Sequence, residues 1–294
     1  MHILDGKKLR DDMKERLKKE IGGLKKKPAL LIIQIGDRPE SNSYIESKKK
    51  FGKAIGVGVI HEKFDEKVTE EEIIRKIGEA NADKEISGII VQLPIPKSLD
   101  REKIMNEIAP EKDVDGLGAV NVGRLWEGRS DAFVPATTKG ILTLLEKNGI
   151  LLSGKHVLVI GRSSLVGKPT VFLCLSKDAT VTIAHSKTKD LEKYTKSADV
   201  LIVATGHPKL IGVSHVLPRH VIVDVGINPQ SKAKEKDSSM ALQDEILGST
   251  LVGDVDFENV KNIVQAISPV PGGVGPMTVA SLFENVVTAY RRQA

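Results

Sequence analysis

Apolar positions along this chain switch repeatedly between the period of a strand and that of a helix. Residues 28–35, P-A-L-L-I-I-Q-I, are nearly continuous, the pattern of a strand buried on both faces of a parallel sheet. A helix is predicted from about Asn42 to Ala54, then a second strand over Gly58–Phe64. Thr69-Glu70-Glu71-Glu72 is a capping box opening a helix to about Ala80. Residues 87–93, S-G-I-I-V-Q-L, form a third strand, stopped by Pro94 and Pro96. A helix over roughly 101–108 leads to a turn at Asp113-Val114-Asp115-Gly116, and 138–148 is a linking helix. The alternation then resumes, with strands near 155–160, 179–184, 199–204 and 221–225 and helices between. An apolar helix with Pro276 in its first turn runs to about Tyr290. The fold class expected is α/β, as two α/β lobes joined by helices, with no fixed-period repeat. A polar, lysine-rich patch at about Pro229–Ser239 reads as a mobile surface loop.

The chain has 294 residues, which suits two domains, and its 40% hydrophobic and 28% charged residues are ordinary for a globular protein. A net charge of +5 raises the question of nucleic acid. Aromatics are only 3%, so stacking platforms are scarce, and no zinc-finger or recognition-helix signature appears. The excess sits in lysine runs on exposed faces and equally suits polyanionic small molecules. No nucleic-acid partner and no metal are expected. The one cysteine, Cys174, lies in an apolar helix and reads as a core residue, so there is no disulfide framework. There is no apolar signal core at the N-terminus and no run long enough for a bilayer, so no membrane partner and a cytoplasmic location are expected.

One loop changes the picture. The β-branched run K-H-V-L-V-I at 155–160 leads into Gly161-Arg162-Ser163-Ser164-Leu165-Val166-Gly167 and then a helix to about Lys177. A glycine turn at a helix start presents free N–H groups and the positive dipole end to an anion, as at a dinucleotide pyrophosphate site. Ser163 stands at the second glycine of the usual pattern, and the last glycine comes one residue late. The next strand, A-T-V-T-I-A at 179–184, ends at His185-Ser186-Lys187-Thr188, with no acid before Asp190. An acid there would bind the ribose 2′-OH of NAD, whereas hydroxyl and cationic groups, with Arg162 opposite, suit a 2′-phosphate. NADP is therefore the expected cofactor.

In the first half, Ser41, Tyr44, Lys48, Phe51 and Ile55 fall on one helical stripe, while Lys49 and Lys50 rotate away. A lysine on such a stripe either snorkels or works as a base whose pKa burial has lowered. Gln92 ends the third strand, where ligands of open α/β sheets collect, although a strand-end amide is also an ordinary feature. Asp115 sits in an Asp-Gly turn, which forms for local reasons too. Residues 268–278, S-P-V-P-G-G-V-G-P-M-T, are a Pro/Gly loop suited either to close backbone approach to a ligand or to a rigid interdomain turn.

Together these motifs resemble the bifunctional 5,10-methylenetetrahydrofolate dehydrogenase/cyclohydrolase family. The likeness runs from Ile3-Leu4-Asp5-Gly6 to the last helix. It rests on S-N-S-Y-I-E-S-K at 41–48, V-Q-L-P-I-P at 91–96, K-D-V-D-G at 112–116 with Asn121, and G-R-S-S-L-V-G-K-P at 161–169. It extends through A-T-V-T-I-A-H-S-K-T, A-D-V-L-I-V-A-T-G, D-V-G-I-N, V-G-D-V-D and P-V-P-G-G-V-G-P-M-T. The resemblance implies a folate-binding catalytic domain over 1–139, completed by 271–294, and a Rossmann-like NADP domain over 140–270, with the active site in the cleft between. It implies Lys48 as the catalytic residue, oriented and kept partly neutral by Gln92, with Tyr44 stacking on the folate and Asp115 holding the pterin. Val91, Leu93, Pro271, Gly272, Gly273, Val274 and Gly275 would line the folate site, and Gly161, Arg162, Ser163, Ser186 and Ile227 would contact NADP. A homodimer is implied as well. The chain departs from the family at Pro135-Ala136-Thr137-Thr138, where Pro-Cys-Thr-Pro is usual, and in a longer loop over 229–249. The alternative is an NADP-dependent methylenetetrahydrofolate dehydrogenase without significant cyclohydrolase activity.

Overall fold

The computed structural model describes residues 2–230 and 250–294, so the lysine-rich patch and the long 229–249 loop lie outside the described residues from 231 to 249. The chain opens with a short strand, β1 (His2–Ile3), and helix α1 (Gly6–Gly22). It divides into two compact units, one of residues 10–139 and 278–294, the other of residues 1–9 and 140–277.

The first unit carries a three-stranded parallel sheet, with β2 (Ala29–Ile35) between β3 (Gly58–Phe64) and β4 (Gly88–Gln92). Leu30 to Ile33 are wholly buried, which is why the central strand reads as an unbroken apolar run. Helix α2 (Pro39–Ile55) follows β2, with Pro39 in its first turn and Gly56 closing it in the left-handed conformation. It buries Ser41, Ile45, Phe51, Gly52 and Ile55. A Cβ on Gly52 would stand 2.5 Å from Val59 and 3.0 Å from Phe283, so only glycine lets the helix approach this closely. Phe51 and Phe283 pack with ring centroids 5.3 Å apart. Helix α3 (Glu70–Ala82) starts at the expected cap, the Thr69 hydroxyl accepting from the Glu72 N–H, which is one half of the expected capping box. Its C-terminus is closed by a buried lysine, Lys112, which donates to the carbonyls of Ala80 at 2.9 Å and Asp83 at 2.7 Å. Residues 112–113 run beside β4, the Ile89 N–H donating to the Lys112 carbonyl. Helices α4 (Arg101–Asn106), α5 (Ala119–Trp126) and α6 (Ala136–Lys147) follow.

The second unit is built on β5 (His156–Ile160), α7 (Gly167–Leu175), β6 (Thr180–Ala184), α8 (Leu191–Ser197), β7 (Val200–Val203) and β8 (Val221–Asp224). An antiparallel pair, β9 (Asn228–Gln230) and β10 (Thr250–Val252), then precedes α9 (Phe257–Val260), β11 (Ala266–Ile267) and the last helix, α10 (Val274–Gln293). The six-stranded sheet has the order β1-β11-β8-β7-β5-β6, parallel throughout. The strands β1 and β11, two residues each, and the β9–β10 pair carry too little periodicity to be read from sequence. Cys174 is a fully buried core residue whose thiol burial pushes up to about 12.

His220, just before β8, is fully buried, with Nδ1 accepting from the Leu217 N–H at 3.1 Å. Burial pulls it down to about 4. The unfolded chain binds this proton near pH 6.5, so between about pH 6.5 and 4 it holds more protons than the folded chain and stability falls as the pH drops. His220→Asn keeps an acceptor near the Nδ1 position and cannot titrate. Urea denaturation from pH 4.5 to 7.5 is expected to show a flatter acid limb for the variant than for the wild type.

Candidate active site

Both sheets reverse their strand order, and each reversal marks a place for chemistry. In the first unit the chain passes from β2 to β3 on one side and then to β4 on the other. Ligands of open α/β sheets collect outside the carboxyl ends of the strands at such a reversal. Gln92, the last residue of β4, is paired there with Gln34 of β2. Lys48 reaches it from α2, its Nζ donating to Gln92 Oε1 at 2.8 Å. The Gln92 Nε2 donates to the Leu93 carbonyl at 2.9 Å. A carbonyl can only accept, so this bond turns the amide and leaves Oε1 to face the lysine.

Lys48 is half-buried, between Tyr44, which is 41% exposed, and the buried Phe51. Desolvation holds its ammonium below the usual lysine range, and attraction to Asp115 pulls it partly back. Asp115 is pushed up by burial and held down by Lys48 and by the Ala136 N–H that it accepts. It therefore sits on the N-terminus of α6, within the segment that departs from the family pattern. Burial also raises the Tyr44 phenol. Lys49 turns to Glu46 at 2.8 Å and Lys50 is exposed, as the stripe predicts. Val91 is part of the hydrophobic core and Leu93 packs against it.

The turn that carries Asp115 is held from three sides. The buried Asp113 accepts from the N–H groups of Leu117 at 3.2 Å and Gly118 at 2.9 Å and from Asn121 Nδ2 at 2.9 Å. Gly116 has φ +66°, and a Cβ there would lie 2.2 Å from the Phe133 carbonyl. From α10, Asn285 Nδ2 donates to the carbonyls of Val114 and Val134, both at 2.9 Å, while Lys139 Nζ donates to its Oδ1.

In the second unit the reversal falls between β5 and β7. Gly161 leaves β5 at φ +129°, and a Cβ on it would stand 2.1 Å from the Ala204 carbonyl. A Cβ on Gly167 would meet the Gly161 carbonyl at 2.2 Å. Ser163 Oγ accepts from the N–H groups of Val166 and Gly167, shaping the loop where a second glycine is usual. Ile160 and Ala184 are strand partners, so Arg162 and Ser186, each two residues further on and exposed, leave adjacent strand ends. The turn after β6 is braced by Thr188 Oγ1, which accepts from the His185 N–H, and by His185 Nδ1, which accepts from the Lys187 N–H. The Pro/Gly loop belongs to this unit: Pro271 is exposed, Gly272, Gly273 and Val274 are buried, and Gly275 stands beside the exposed Ile227. A Cβ on Gly6 would lie 1.8 Å from the Gly273 carbonyl, which explains the glycine of the opening I-L-D-G.

Residues 4–115 match the model of the tetrahydrofolate dehydrogenase/cyclohydrolase catalytic domain, and residues 135–294 match that of the NAD(P)-binding domain of the same family. The chain belongs to the tetrahydrofolate dehydrogenase/cyclohydrolase family. A bifunctional FolD protein of Acetivibrio thermocellus is 43% identical over 99% of this chain and 98% of its own. The crystal structure of the bifunctional FolD enzyme of Campylobacter jejuni superposes with a TM-score of 0.93 at 38% identity, covering 100% of both chains. The FolD of Trypanosoma brucei, solved with NADP and an inhibitor, gives a TM-score of 0.90 at 33% identity over 99% of this chain and 97% of its own.

For a dehydrogenase/cyclohydrolase the second unit is chemically well matched to NADP. The first acid after β6 is Asp190, so no carboxylate stands at the strand end to repel a 2′-phosphate, and Arg162, Ser186 and Lys187 are exposed there. Asp224, Asp254 and Asn285 are buried groups hydrogen-bonded to loop backbone that sequence reasoning did not single out. The first two stand inside quoted motifs, as acids at or just after the ends of apolar strands, and that placement is the available signal. Among the described residues no helix is long and apolar enough to cross a membrane.

Asn285→Leu keeps the side-chain size and strips a buried carbonyl, a partly buried carbonyl and Lys139 of a partner. At about 1–3 kcal/mol for each unsatisfied buried group, a loss of at least about 2 kcal/mol is expected in chemical denaturation.

Proposed function

We propose that Lys48 is the proton-handling residue of a bifunctional one-carbon enzyme, with Gln92 holding it in place and Asp115 and Tyr44 binding the folate. The enzyme converts 5,10-methylenetetrahydrofolate to 5,10-methenyltetrahydrofolate in an NADP-dependent oxidation, then hydrolyses that cation to 10-formyltetrahydrofolate. When bound, NADP supplies the hydride acceptor; Gly161, Arg162, Ser163, Ser186 and Ile227 would hold it. The observation that carries the reading is the 2.8 Å bond from Lys48 to Gln92, made by a lysine whose pKa burial lowers.

Hydration needs proton traffic in both directions. Water adds to the cationic carbon and must lose a proton. When the tetrahedral adduct opens, the hydroxyl proton is lost, the formyl C=O forms, and the released ring nitrogen takes up a proton. A lysine held below its usual range can accept the first proton as an amine and return one as an ammonium. Gln92 Oε1 accepts from Nζ in either state, so the side chain keeps its place through the cycle. Removal of the hydride leaves no proton to transfer, so the oxidation asks these residues only to bind and orient the folate. By the family resemblance, Val91, Leu93 and residues 271–275 would belong to the folate-facing set. The enzyme works in the cytoplasm as a homodimer. Among the described residues β6 ends the six-stranded sheet, and Ile183 on it is 39% exposed, which supports the dimer reading.

Lys48→Met is expected to lower cyclohydrolase turnover by about a hundredfold to ten-thousandfold and the dehydrogenase less, with Lys49→Met near wild type. The decay of methenyltetrahydrofolate and the appearance of NADPH measure the two steps separately. A folded Lys48→Met enzyme that hydrolyses the methenyl compound at the wild-type rate returns Lys48 to a snorkelling role. A wild-type enzyme that oxidises methylenetetrahydrofolate without hydrolysing the product favours the dehydrogenase-only alternative.

Arg162→Ala tests the cofactor site. Loss of a charged hydrogen bond to phosphate, roughly 1.5–3 kcal/mol, should weaken NADP by about tenfold or more and leave NAD nearly unchanged. Equal losses for the two cofactors remove Arg162 from the phosphate site.

A further inference from the structure

Asp254 follows β10 and is fully buried, yet its carboxylate takes four hydrogen bonds, all from neutral donors. Oδ2 accepts from the Thr205 N–H at 2.6 Å, the Thr205 hydroxyl at 2.9 Å and the Gly206 N–H at 3.0 Å. Oδ1 accepts from Asn228 Nδ2 at 2.9 Å. Three of the four donors belong to the turn after β7, and the fourth is the neighbour of Ile227 in sequence. That turn begins at Ala204, whose carbonyl lies 2.1 Å from where a Gly161 Cβ would be. The crevice at the strand-order reversal is thus walled on one side by the Gly161 loop and on the other by the turn that Asp254 grips.

Asp254 is itself placed by a second buried aspartate. Asp224 Oδ1 accepts from the N–H groups of Asp254 and Gly226, both at 3.0 Å, and its Oδ2 from the Val255 N–H at 2.9 Å. A Cβ on Gly253 would stand 1.8 Å from Asp224 Oδ2, and one on Gly226 would stand 2.3 Å from Asp254 Oδ1, so the two carboxylates fill the space those glycines leave. The Asp224 N–H donates to Ser268 Oγ at 2.8 Å, one residue before the Pro269–Gly275 loop. One buried pair therefore links the turns at 204–206 and 226–228 to the start of the Pro/Gly loop.

We propose that Asp254 is a positioning residue for NADP: it fixes the Thr205-Gly206 turn and Asn228 so that the second wall of the nucleotide crevice is preformed. The inference rests on the reading that NADP lies at the Gly161 loop. In Asp254→Asn one acceptor oxygen becomes an N–H₂ group facing a donor, so either the Thr205-Gly206 turn or Asn228 loses its acceptor while the side-chain size is kept.

The test is a split between two activities of one enzyme. Calorimetric titration with NADP is expected to show affinity at least about tenfold weaker for Asp254→Asn, and the KM for NADP should rise in parallel. Hydrolysis of methenyltetrahydrofolate, assayed without nucleotide, should stay within about twofold of wild type. Parallel loss of both activities, or an unchanged NADP affinity, overturns the proposal. If Asp254→Asn does not fold, Thr205→Val and Thr205→Ser replace it. The valine should weaken NADP several-fold with hydrolysis retained, and the serine, which keeps the hydroxyl donor to Asp254, should restore binding. Identical behaviour of the two variants overturns the proposal. Arg162→Ala separates the levels: if it leaves NADP binding intact, the site reading fails, whereas if it weakens NADP and Asp254→Asn does not, only the positioning role fails.

Discussion

A buried carboxyl group enclosed by N–H donors cannot shift without leaving polar atoms unsatisfied where nothing else can solvate them. Asp113, Asp224 and Asp254 are all in this position, each no more than 2% exposed. Asp113 closes the turn that carries Asp115, and Asp224 and Asp254 close the turns after β8 and β7. Asp224 and Asp254 act at the carboxyl ends of β8 and β7, where the chain stops satisfying its own ladder and its loops need other partners, whereas Asp113 acts beside β4. Parallel sheets place their ligand loops at those same ends, so the groups that repair the broken ladder also shape the sites.

The magnitudes say what these aspartates are for. Burying a carboxylate costs several kcal/mol, and each charge-assisted bond returns roughly 1.5–3 kcal/mol. At Asp113 and Asp224 burial outweighs the N–H donors and pushes the carboxyls up, Asp224 to about 7, so the gain is a fixed geometry more than net stability. Asp115 is the instructive contrast. It is half-buried, accepts from one main-chain N–H, at Ala136, and faces Lys48 across the site. A carboxylate with capacity to spare is suited to binding a substrate, whereas one whose oxygens are all taken is suited to holding a loop.

Much of this was legible in the sequence, for identifiable reasons. The strand at 29–35 is buried on both faces and announces itself as an apolar run, and the Thr69 cap is a local bond between near neighbours. Lys48 was legible as a position on a stripe, but the attraction of Asp115 that opposes its desolvation comes from a residue distant in sequence. The link from Lys48 to Gln92 spans 44 residues and depends on which way an amide is turned by Leu93. β1 and β11 were invisible because two residues have no period, and the β1 pairing joins segments more than 260 residues apart. The roles of Asp224 and Asp254 were hidden for a different reason. An acid after an apolar strand resembles a solvated turn residue until the turns that cover it are known.

The two reactions ask different things of the protein. Hydride transfer involves no proton, so the nucleotide unit needs only rigid turns, phosphate-matched cations and close backbone approach. Hydration needs a group that both takes and returns a proton, and such a group works best when its pKa lies near the working pH. Burial alone would drive a lysine toward a permanently neutral amine, unable to return the proton. Ion pairing alone would lock it as an ammonium, unable to take one. At Lys48 the two influences oppose each other, with desolvation the larger and Asp115 pulling back. Gln92 adds an acceptor compatible with both states. The same aspartate proposed to anchor the folate therefore also sets how readily Lys48 gives up its proton, which ties folate binding to proton transfer through a single side chain.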